Sequence, residues 1–174
     1  INDLTKVGII GGSGFTGEEL LRFLSNHPNT EVIAISSRAL LGQSTNQIVE
    51  GSDLIFIEPD NDIFYDCEVV FFATPHGVSM NLVNLFINKN IKVIDLSADF
   101  RIKDIGIWEE WYNIPHSQEE LLSESVYGLT ELNSSKIESA RLVAVPGCYP
   151  TASLLAILPL LSSKFKIESI IIDA

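Results

Sequence analysis

The strongest constraint on the fold is a glycine-rich turn that follows a short apolar run near the start of the chain. Residues 7–10 have the pattern of a buried strand, and the turn after them consists of Gly11, Gly12, Ser13, Gly14, Phe15, Thr16 and Gly17. Gly12, Gly14 and Gly17 have the G-x-G-x-x-G spacing, which permits a tight turn, close approach of a pyrophosphate and close packing of the following helix. N–H groups at the start of that helix can donate to phosphates. The seven residues are therefore predicted to bind a dinucleotide, and a purely structural turn is the alternative.

The end of the second predicted strand indicates which dinucleotide is bound. Residues 32–35 are followed by Ser36, Ser37 and Arg38, at about the position where an NAD enzyme carries an acid for the ribose 2′-hydroxyl. No acid stands there, whereas the forked donors of an arginine suit a 2′-phosphate. The pattern favours NADP (NADPH) over NAD, with Ser36 and Arg38 as binding residues. An ordinary solvated loop is the alternative.

Apolar runs of strand length alternate with helix-like stretches along the chain. Continuous apolar, β-branched runs are typical of strands covered on both faces of a sheet. We therefore predict an α/β fold with a doubly wound, mostly parallel sheet of the Rossmann type. The predicted strands are residues 7–10, 32–35, 54–57, 69–73, 91–96, 142–145 and 167–172. The predicted helices are residues 17–25, 78–88, 118–123, 134–139 and 150–162.

In such sheets ligands bind at the carboxyl ends of the strands, so the segments that follow the strands are candidate site residues. After the strand at 69–73 come Thr74, Pro75, His76 and Gly77, whose N–H groups and fixed turn are expected to line the nicotinamide side of the cleft. A plain turn with a surface histidine is the alternative.

The segment after the next strand is the candidate substrate site. Ser97 and Arg101 are predicted to contact substrate, with Arg101 as the partner of an anionic group. Asp95 and Asp99 are expected to hold Arg101 and to cap backbone groups. No metal site is predicted, because no Cys/His ligand spacing accompanies these carboxylates.

Cys148 lies in a turn between an apolar strand and an apolar helix, where a cysteine can act as a nucleophile. Pro150 suits the first helical turn, because its missing N–H costs nothing there. Unpaired N–H groups at a helix start favour a thiolate. A small buried cysteine in a packed turn is the alternative, and Cys67 is assigned no chemistry.

Charge and cysteine content exclude several classes of partner. The chain of 174 residues has a formal net charge of −12, which argues against nucleic acid and anionic membrane surfaces and leaves small molecules as the expected partners. Two cysteines do not make a disulfide framework, and a reactive thiol needs a reducing compartment, so we expect the cytoplasm. No apolar run approaches the ~20 residues of a membrane span. Residue 1 is Ile, so a segment removed before it stays an open alternative.

The motifs together resemble N-acetyl-γ-glutamyl-phosphate reductase of arginine biosynthesis, within the aspartate-semialdehyde dehydrogenase-like superfamily. They are GGSGFTGEEL at 11–20, SSR at 36–38, PHG at 75–77, DLSADFR at 95–101, YGL at 127–129 with ELN at 131–133, and PGCYPT at 146–151. The resemblance covers the whole chain. Thr130 stands where many members have proline.

The resemblance implies NADPH-dependent reduction of the acyl phosphate N-acetyl-γ-glutamyl phosphate to N-acetylglutamate semialdehyde, with the family's catalytic cysteine at Cys148. Family members are about twice this long, with a second α/β domain that carries the catalytic histidine and makes the contacts of a homo-oligomer. Residues 1–147 would then be the dinucleotide-binding domain, and 148–174 the cysteine helix and first strand of the second domain. The 174-residue piece alone is expected to be inactive. A lysine-pathway acyl-phosphate reductase and a noncatalytic NADP(H)-binding module are the alternatives.

Overall fold

A single parallel sheet organises the computed structural model, which describes residues 4–161 and 166–173. Its seven strands lie in the order β3-β2-β1-β4-β5-β7-β6, and all neighbouring pairs are parallel. The strands are β1 (Thr5–Ile10), β2 (Thr30–Ser36), β3 (Phe56–Ile57), β4 (Val69–Phe72), β5 (Lys92–Asp95), β6 (Val126–Tyr127) and β7 (Leu142–Ala144). The strand order reverses between β1 and β4, which creates a crevice at their carboxyl ends. The predicted doubly wound α/β fold is confirmed.

Helices connect most of the strands. They are α1 (Phe15–Ser25), α2 (Ser79–Ile87), α3 (Ile105–Tyr112), α4 (Glu119–Glu124), α5 (Thr130–Ser139) and α6 (Cys148–Leu161), with 3-10 turns at Thr45–Gln47 and Asp62–Asp66. All five predicted helices form, although α1 and α6 begin two residues earlier than predicted and α5 begins four residues earlier. The predicted end of the last helix, Ser162, lies outside the described residues.

Both faces of the sheet are buried, as the continuous apolar strands predict. Consecutive residues of a strand point to opposite faces. Ile10 and Ala34 belong to a large core cluster that includes Phe72, whereas their neighbours Ile9 and Ile35 belong to a second cluster with Leu21 and Phe56 on the other face. The carboxyl edge of the sheet is left for the site.

Two elements form that the periodicity does not predict. Helix α3 begins where the Asp104 side chain accepts a hydrogen bond from the N–H of Ile107 at 2.9 Å, and it ends at Asn113 in the left-handed region with φ 55°. Strand β6 has only two residues, and it pairs with β7 at the edge of the sheet.

The prediction of a strand at 167–172 is wrong, because the structure shows none there. Residues 166–173 carry no regular secondary structure, and no strand of the seven-stranded sheet pairs with them. β-branched side chains favour extended backbone, but a strand needs a hydrogen-bonded neighbour. Within 4–161 and 166–173, no helix has both the length and the apolar character needed to cross a membrane.

Candidate active site

Two glycines bring the β1–α1 turn into close contact with neighbouring backbone. Gly11 has φ +85°, and a Cβ there would lie 2.5 Å from the carbonyl oxygen of Ala73. A Cβ on Gly17 would lie 2.5 Å from the carbonyl oxygen of Gly11. Neither position has room for a side chain, so α1 packs directly against the end of β1.

Serines at the end of β2 support this turn. The N–H of Gly11 donates to Ser36 Oγ at 3.3 Å, and the N–H of Gly12 donates to the Ser36 carbonyl at 2.8 Å. Ser37 Oγ donates to Ser13 Oγ at 2.7 Å. The Ser36 side chain, expected to bind the cofactor, is fully buried and holds the glycine turn.

A cavity of about 440 Å³ lies where the strand order reverses. Residues 36–39 after β2 line one side, Thr74, Pro75 and Val78 line the other, and Gly11 and Ser13 lie between them. Arg38 is exposed at its rim, and its guanidinium has no hydrogen bond or ion pair with any residue in 4–161 or 166–173. The cavity therefore offers a free cation on the side where a dinucleotide's adenosine ribose would lie.

Three observations fit a phosphate-bearing dinucleotide at this turn. Gly14 precedes the first residue of α1 without a side-chain cap, and nothing lies within 4 Å of where its Cβ would be. Phe15 and Thr16 are exposed, so the N–H groups of the first helical turn are open to a ligand. Thr74 Oγ1 is buried beside the turn and has no hydrogen-bond partner within the described ranges. The turn thus has open space, unpaired N–H donors and an unpaired hydroxyl.

The Pro75–His76–Gly77 loop starts at the wall of the cavity, which Pro75 lines. Pro75 and His76 are exposed, and the His76 ring lies 5.2 Å from the Tyr112 ring between centroids. Gly77 has φ +81°, and its N–H donates to Asp99 Oδ1 at 2.6 Å. The loop therefore stands at the edge of the cleft and is held by the Asp99 carboxylate.

Asp99 belongs to a buried polar cluster with Ser79, Asp95 and Ser97. Ser79 Oγ lies 2.9 Å from Asp99 Oδ2 and 3.0 Å from Asp95 Oδ2, and Ser97 Oγ donates to Asp95 Oδ2 at 2.8 Å. Burial is the largest influence on Asp95 and raises its pKa from the usual 3.8 to about 6, against the lowering effect of the Ser97 hydrogen bonds. The Ser97 side chain, predicted to contact substrate, is buried within this cluster.

Arg101 ties the ends of β5 and β7 together. Its Nε donates to the Val145 carbonyl and its Nη2 donates to the Leu96 carbonyl, both at 2.7 Å. Neither Asp95 nor Asp99 pairs with it, contrary to the expectation that these carboxylates hold the guanidinium. Arg101 Nη1 lies 3.3 Å from where a Cβ on Gly147 would be.

Cys148 is exposed and is the first residue of α6. The helix turn is closed by Thr151, whose N–H and Oγ both donate to the Gly147 carbonyl, at 3.0 and 2.9 Å. Since β4, β5 and β7 are parallel, their carboxyl ends place Cys148, Arg101 and the Gly77 loop at one edge of the sheet.

Cys67, unlike Cys148, is shielded from solvent. It is buried, and desolvation, with a smaller contribution from the Asp66 carboxylate, raises the pKa of its thiol to about 12. A thiol in that state supplies almost no thiolate at neutral pH. The prediction of no chemistry at Cys67 agrees with this environment.

The aromatic residues around α3 pack beneath the site. Trp108 is fully buried, stacks on Tyr112 at 4.8 Å and donates from Nε1 to the Ala98 carbonyl. His116 Nδ1 accepts from the N–H of Gln118, so Nε2 carries the ring proton and donates to the Asp99 carbonyl at 2.8 Å. His116 is therefore a buried structural histidine.

Sequence reasoning missed Ser79, and it included Thr74 in the loop after β4 without a role for its hydroxyl. Ser79 is the first residue of α2, and helix ends are places where polar side chains often meet backbone or ligands. That position is the signal by which the sequence could have identified Ser79.

The fold and the cleft define a Rossmann-type dinucleotide-binding domain. Residues 6–140 match the family model described as "Semialdehyde dehydrogenase, NAD binding domain", and the chain belongs to this family. Its curated relatives include N-acetyl-gamma-glutamyl-phosphate reductases. The protein of that name from Ruthia magnifica subsp. Calyptogena magnifica is 52% identical over 98% of this chain and 52% of its own length. The one from Nitrosococcus oceani is 49% identical over 92% of this chain and 48% of its own length. The chain spans about half the length of these relatives.

Solved structures show the same fold at low sequence identity. Aspartate semialdehyde dehydrogenase II from Vibrio cholerae, complexed with ASA, matches with a TM-score of 0.70 and 17% identity over 92% of this chain and 47% of its own. Aspartate semialdehyde dehydrogenase from Candida albicans, solved with NADP, matches with a TM-score of 0.61 and 18% identity over 91% of this chain and 47% of its own.

Proposed function

We propose that this chain is the cofactor-binding and cysteine-bearing part of an NADPH-dependent reductase that converts N-acetyl-γ-glutamyl phosphate to N-acetylglutamate semialdehyde in arginine biosynthesis. The observation that carries the proposal is the position of Cys148. An exposed cysteine opens α6 at the same edge of the sheet as the dinucleotide cleft. The names of the curated relatives support the substrate.

The residues that line the cleft could each hold one part of the cofactor. The N–H groups that follow Gly14 would hold the pyrophosphate, Arg38 would hold the 2′-phosphate, and Pro75 and His76 would stand on the side of the nicotinamide half. When bound, NADPH supplies the hydride that reduces a thioester to an aldehyde.

Cys148 provides the nucleophile. Its sulfur forms a bond to the acyl carbon, the bond from that carbon to the phosphate oxygen breaks, and inorganic phosphate leaves. After hydride has reached the thioester carbon, the carbon–sulfur bond breaks, which releases the aldehyde and returns Cys148 as the thiolate. Helix N-terminal N–H groups stabilise that negative charge.

Arg101 is the proposed partner of the anionic part of the substrate. Two of its N–H groups are fixed by the Val145 and Leu96 carbonyls, whereas Nη1 makes no hydrogen bond to any residue of the described part of the chain. Nη1 lies beside Gly147, one residue before the nucleophile. A guanidinium held in this way offers donors to phosphate without first losing side-chain freedom.

We further propose that turnover needs the length that the relatives have beyond this match. Residues 148–174 would then begin a second domain, which would supply a proton-transfer group that the described residues do not place beside Cys148. The 174-residue chain should bind NADPH but should not reduce NADP with semialdehyde and phosphate at an enzymatic rate.

Substitution of the two cysteines in the full-length enzyme tests the covalent mechanism. Cys148→Ser should lower kcat by at least about a thousandfold, because a hydroxyl replaces the nucleophile, and should leave the NADPH dissociation constant within about twofold. Steady-state kinetics and NADPH fluorescence titration measure the two effects.

The matched control is Cys67→Ser, which should retain most of the turnover because its sulfur is buried away from the site. Retention of most of the turnover by Cys148→Ser would contradict the mechanism and favour a noncatalytic NADP(H)-binding module.

A further inference from the structure

Helix α2 begins without a cap from its own segment. Its N-cap residue is Val78, which provides no side-chain hydrogen bond. The missing acceptor comes from Asp99, 21 residues after Val78, which accepts from the N–H of Gly77 at 2.6 Å through Oδ1 and from the N–H of Met80 at 3.0 Å through Oδ2. Asp99 is fully buried and acts as a tertiary cap.

The same carboxylate is the buried attachment of the Pro75–His76–Gly77 loop. Two further contacts of the loop lie nearer the surface: Asn81 Nδ2 donates to the Gly77 carbonyl at 2.8 Å, and the His76 ring approaches Tyr112. Gly77 has φ +81°, a backbone conformation that residues with a side chain rarely adopt, and a Cβ there would lie 2.7 Å from Ile114 Cδ1.

Ser79 fixes the orientation of the Asp99 carboxylate. Its hydroxyl lies 2.9 Å from Asp99 Oδ2, and Ser79 is itself fully buried in the first residue of α2. Charge-assisted hydrogen bonds of this kind are stronger than neutral ones, and buried networks hold one geometry when every member has partners.

The position of this loop relative to the cofactor follows from the strand order. In the proposed complex the adenosine ribose would lie at the end of β2, and the nicotinamide half would then lie toward the ends of β4 and β5. The Gly77 loop follows β4, whereas Arg38 follows β2. The two halves of the cofactor would therefore contact separately supported parts of the chain.

We propose that Asp99, acting through Gly77 and Ser79, is the positioning residue for the loop that receives the nicotinamide half of the cofactor, and that the adenosine half binds independently of it. The assignment rests on the proposed NADPH site and adds the residue that sets the geometry of one half of it. Asp99 touches neither substrate nor cofactor.

Calorimetric titration of the 174-residue chain with two ligands tests the assignment. NADPH carries both halves, whereas adenosine 2′,5′-bisphosphate carries the adenine and the 2′-phosphate without nicotinamide. Asp99→Asn should weaken NADPH about tenfold, the equivalent of one charge-assisted hydrogen bond, and should change the affinity for the bisphosphate by less than about twofold. A loss of fold stability alone would not separate the two ligands.

Two serine variants control for folding. Ser79→Ala keeps the Asp99 carboxylate but removes its orienting hydroxyl, so it should shift the ratio of the two affinities in the same direction and decides the matter if Asp99→Asn does not fold. Ser125→Ala also removes a buried hydroxyl, which donates to the Phe100 carbonyl at 3.0 Å. Ser125 contacts neither the Gly77 loop nor the segment that carries Arg38, so this variant should leave the ratio of the two affinities unchanged.

Equal weakening of both ligands, or no weakening of either, in folded Asp99→Asn or Ser79→Ala would overturn the positioning role. An unmodified chain that binds the bisphosphate and NADPH equally well would overturn it too, because the nicotinamide half would then contribute nothing. Failure of the unmodified chain to bind NADPH at all would instead overturn the proposed function, and this assignment with it.

Discussion

Arg38 offers a direct test of cofactor preference. Its guanidinium is exposed at the cavity rim without a partner in the described part of the chain, so Arg38→Glu should remove a charge-assisted contact to the 2′-phosphate and add repulsion. We expect NADPH binding to weaken by about 2 kcal/mol, roughly thirtyfold, and NADH binding to change little. Fluorescence titration with both cofactors measures the effect.

Arg22→Glu is the control for the change in net charge, because Arg22 lies on α1 and pairs with Glu18 and Glu19 away from the cavity. Equal affinities of the unmodified chain for NADPH and NADH would remove the basis of this prediction.

Asp95 gives a pH-dependent prediction about stability. Its folded pKa of about 6 lies above its usual 3.8, so the folded state binds the proton more tightly than the unfolded state. Above pH 6 the buried charge of Asp95 therefore lowers the free energy of unfolding. This loss disappears as the pH falls from about 6 to 3.8 and Asp95 becomes protonated. Asn at this position keeps an acceptor for the Ser97 N–H but never ionises.

Between pH 4.5 and pH 7.5 the free energy of unfolding of Asp95→Asn should therefore rise by about 2 kcal/mol relative to that of the unmodified chain. Urea unfolding of both chains at the two pH values measures it. A difference that stays constant with pH would show that Asp95 does not titrate as its burial implies.

Several site residues could be predicted individually, whereas their partners could not. Cys148, Arg101 and the Gly77 loop follow strands, and the ends of parallel strands converge by geometry alone. The burial of Ser36 and Ser97 could not be predicted, because a serine after a strand can face the ligand or the protein. Tertiary packing turned both inward, toward the glycine turn and toward Asp95.

The β1–α1 turn separates the structural from the binding role of its glycines. Gly17→Ala would force a Cβ to 2.5 Å from the Gly11 carbonyl oxygen and should lower the free energy of unfolding by about 2 kcal/mol or more. Gly14→Ala meets open space, so it should cost at most about 1 kcal/mol, yet it should weaken NADPH binding because its methyl group occupies space that the phosphates need.

Urea unfolding and NADPH titration of the two variants distinguish these roles. Full stability in Gly17→Ala would contradict the packing argument, and undiminished NADPH affinity in Gly14→Ala would contradict the phosphate site.

Helix α3 shows where periodicity fails at the level of an element. Its eight residues contain two tryptophans and a tyrosine, so the apolar pattern indicates packing without a clear period. The stronger signals are its ends, Asp104 as the N-cap and Asn113 in the left-handed conformation. The two-residue strand β6 is too short for any pattern, and its pairing with β7 is decided by tertiary contact.

At the scale of the whole chain, an apolar surface is exposed along α6 and residues 166–173. No residue of α6 is buried, and Ile171 is 93% exposed. Surfaces of this kind promote self-association. Ile171→Glu should therefore reduce the concentration-dependent light scattering of the 174-residue chain.

Phe23→Glu is the matched control, because Phe23 is 73% exposed on α1, outside this surface, and should leave the scattering unchanged. Equal scattering by the unmodified chain and Ile171→Glu would show that the surface does not drive association.

The account as a whole rests on a reactive cysteine beside a dinucleotide cleft, and trapping the acyl enzyme tests it most directly. The full-length enzyme is incubated with N-acetyl-γ-glutamyl phosphate in the absence of NADPH, and peptide mass spectrometry locates any adduct. We predict an acyl group on the peptide that contains Cys148, none on the peptide that contains Cys67, and loss of the adduct with release of aldehyde when NADPH is added. An adduct elsewhere, or one on Cys148 that persists unchanged in the presence of NADPH, would contradict the account.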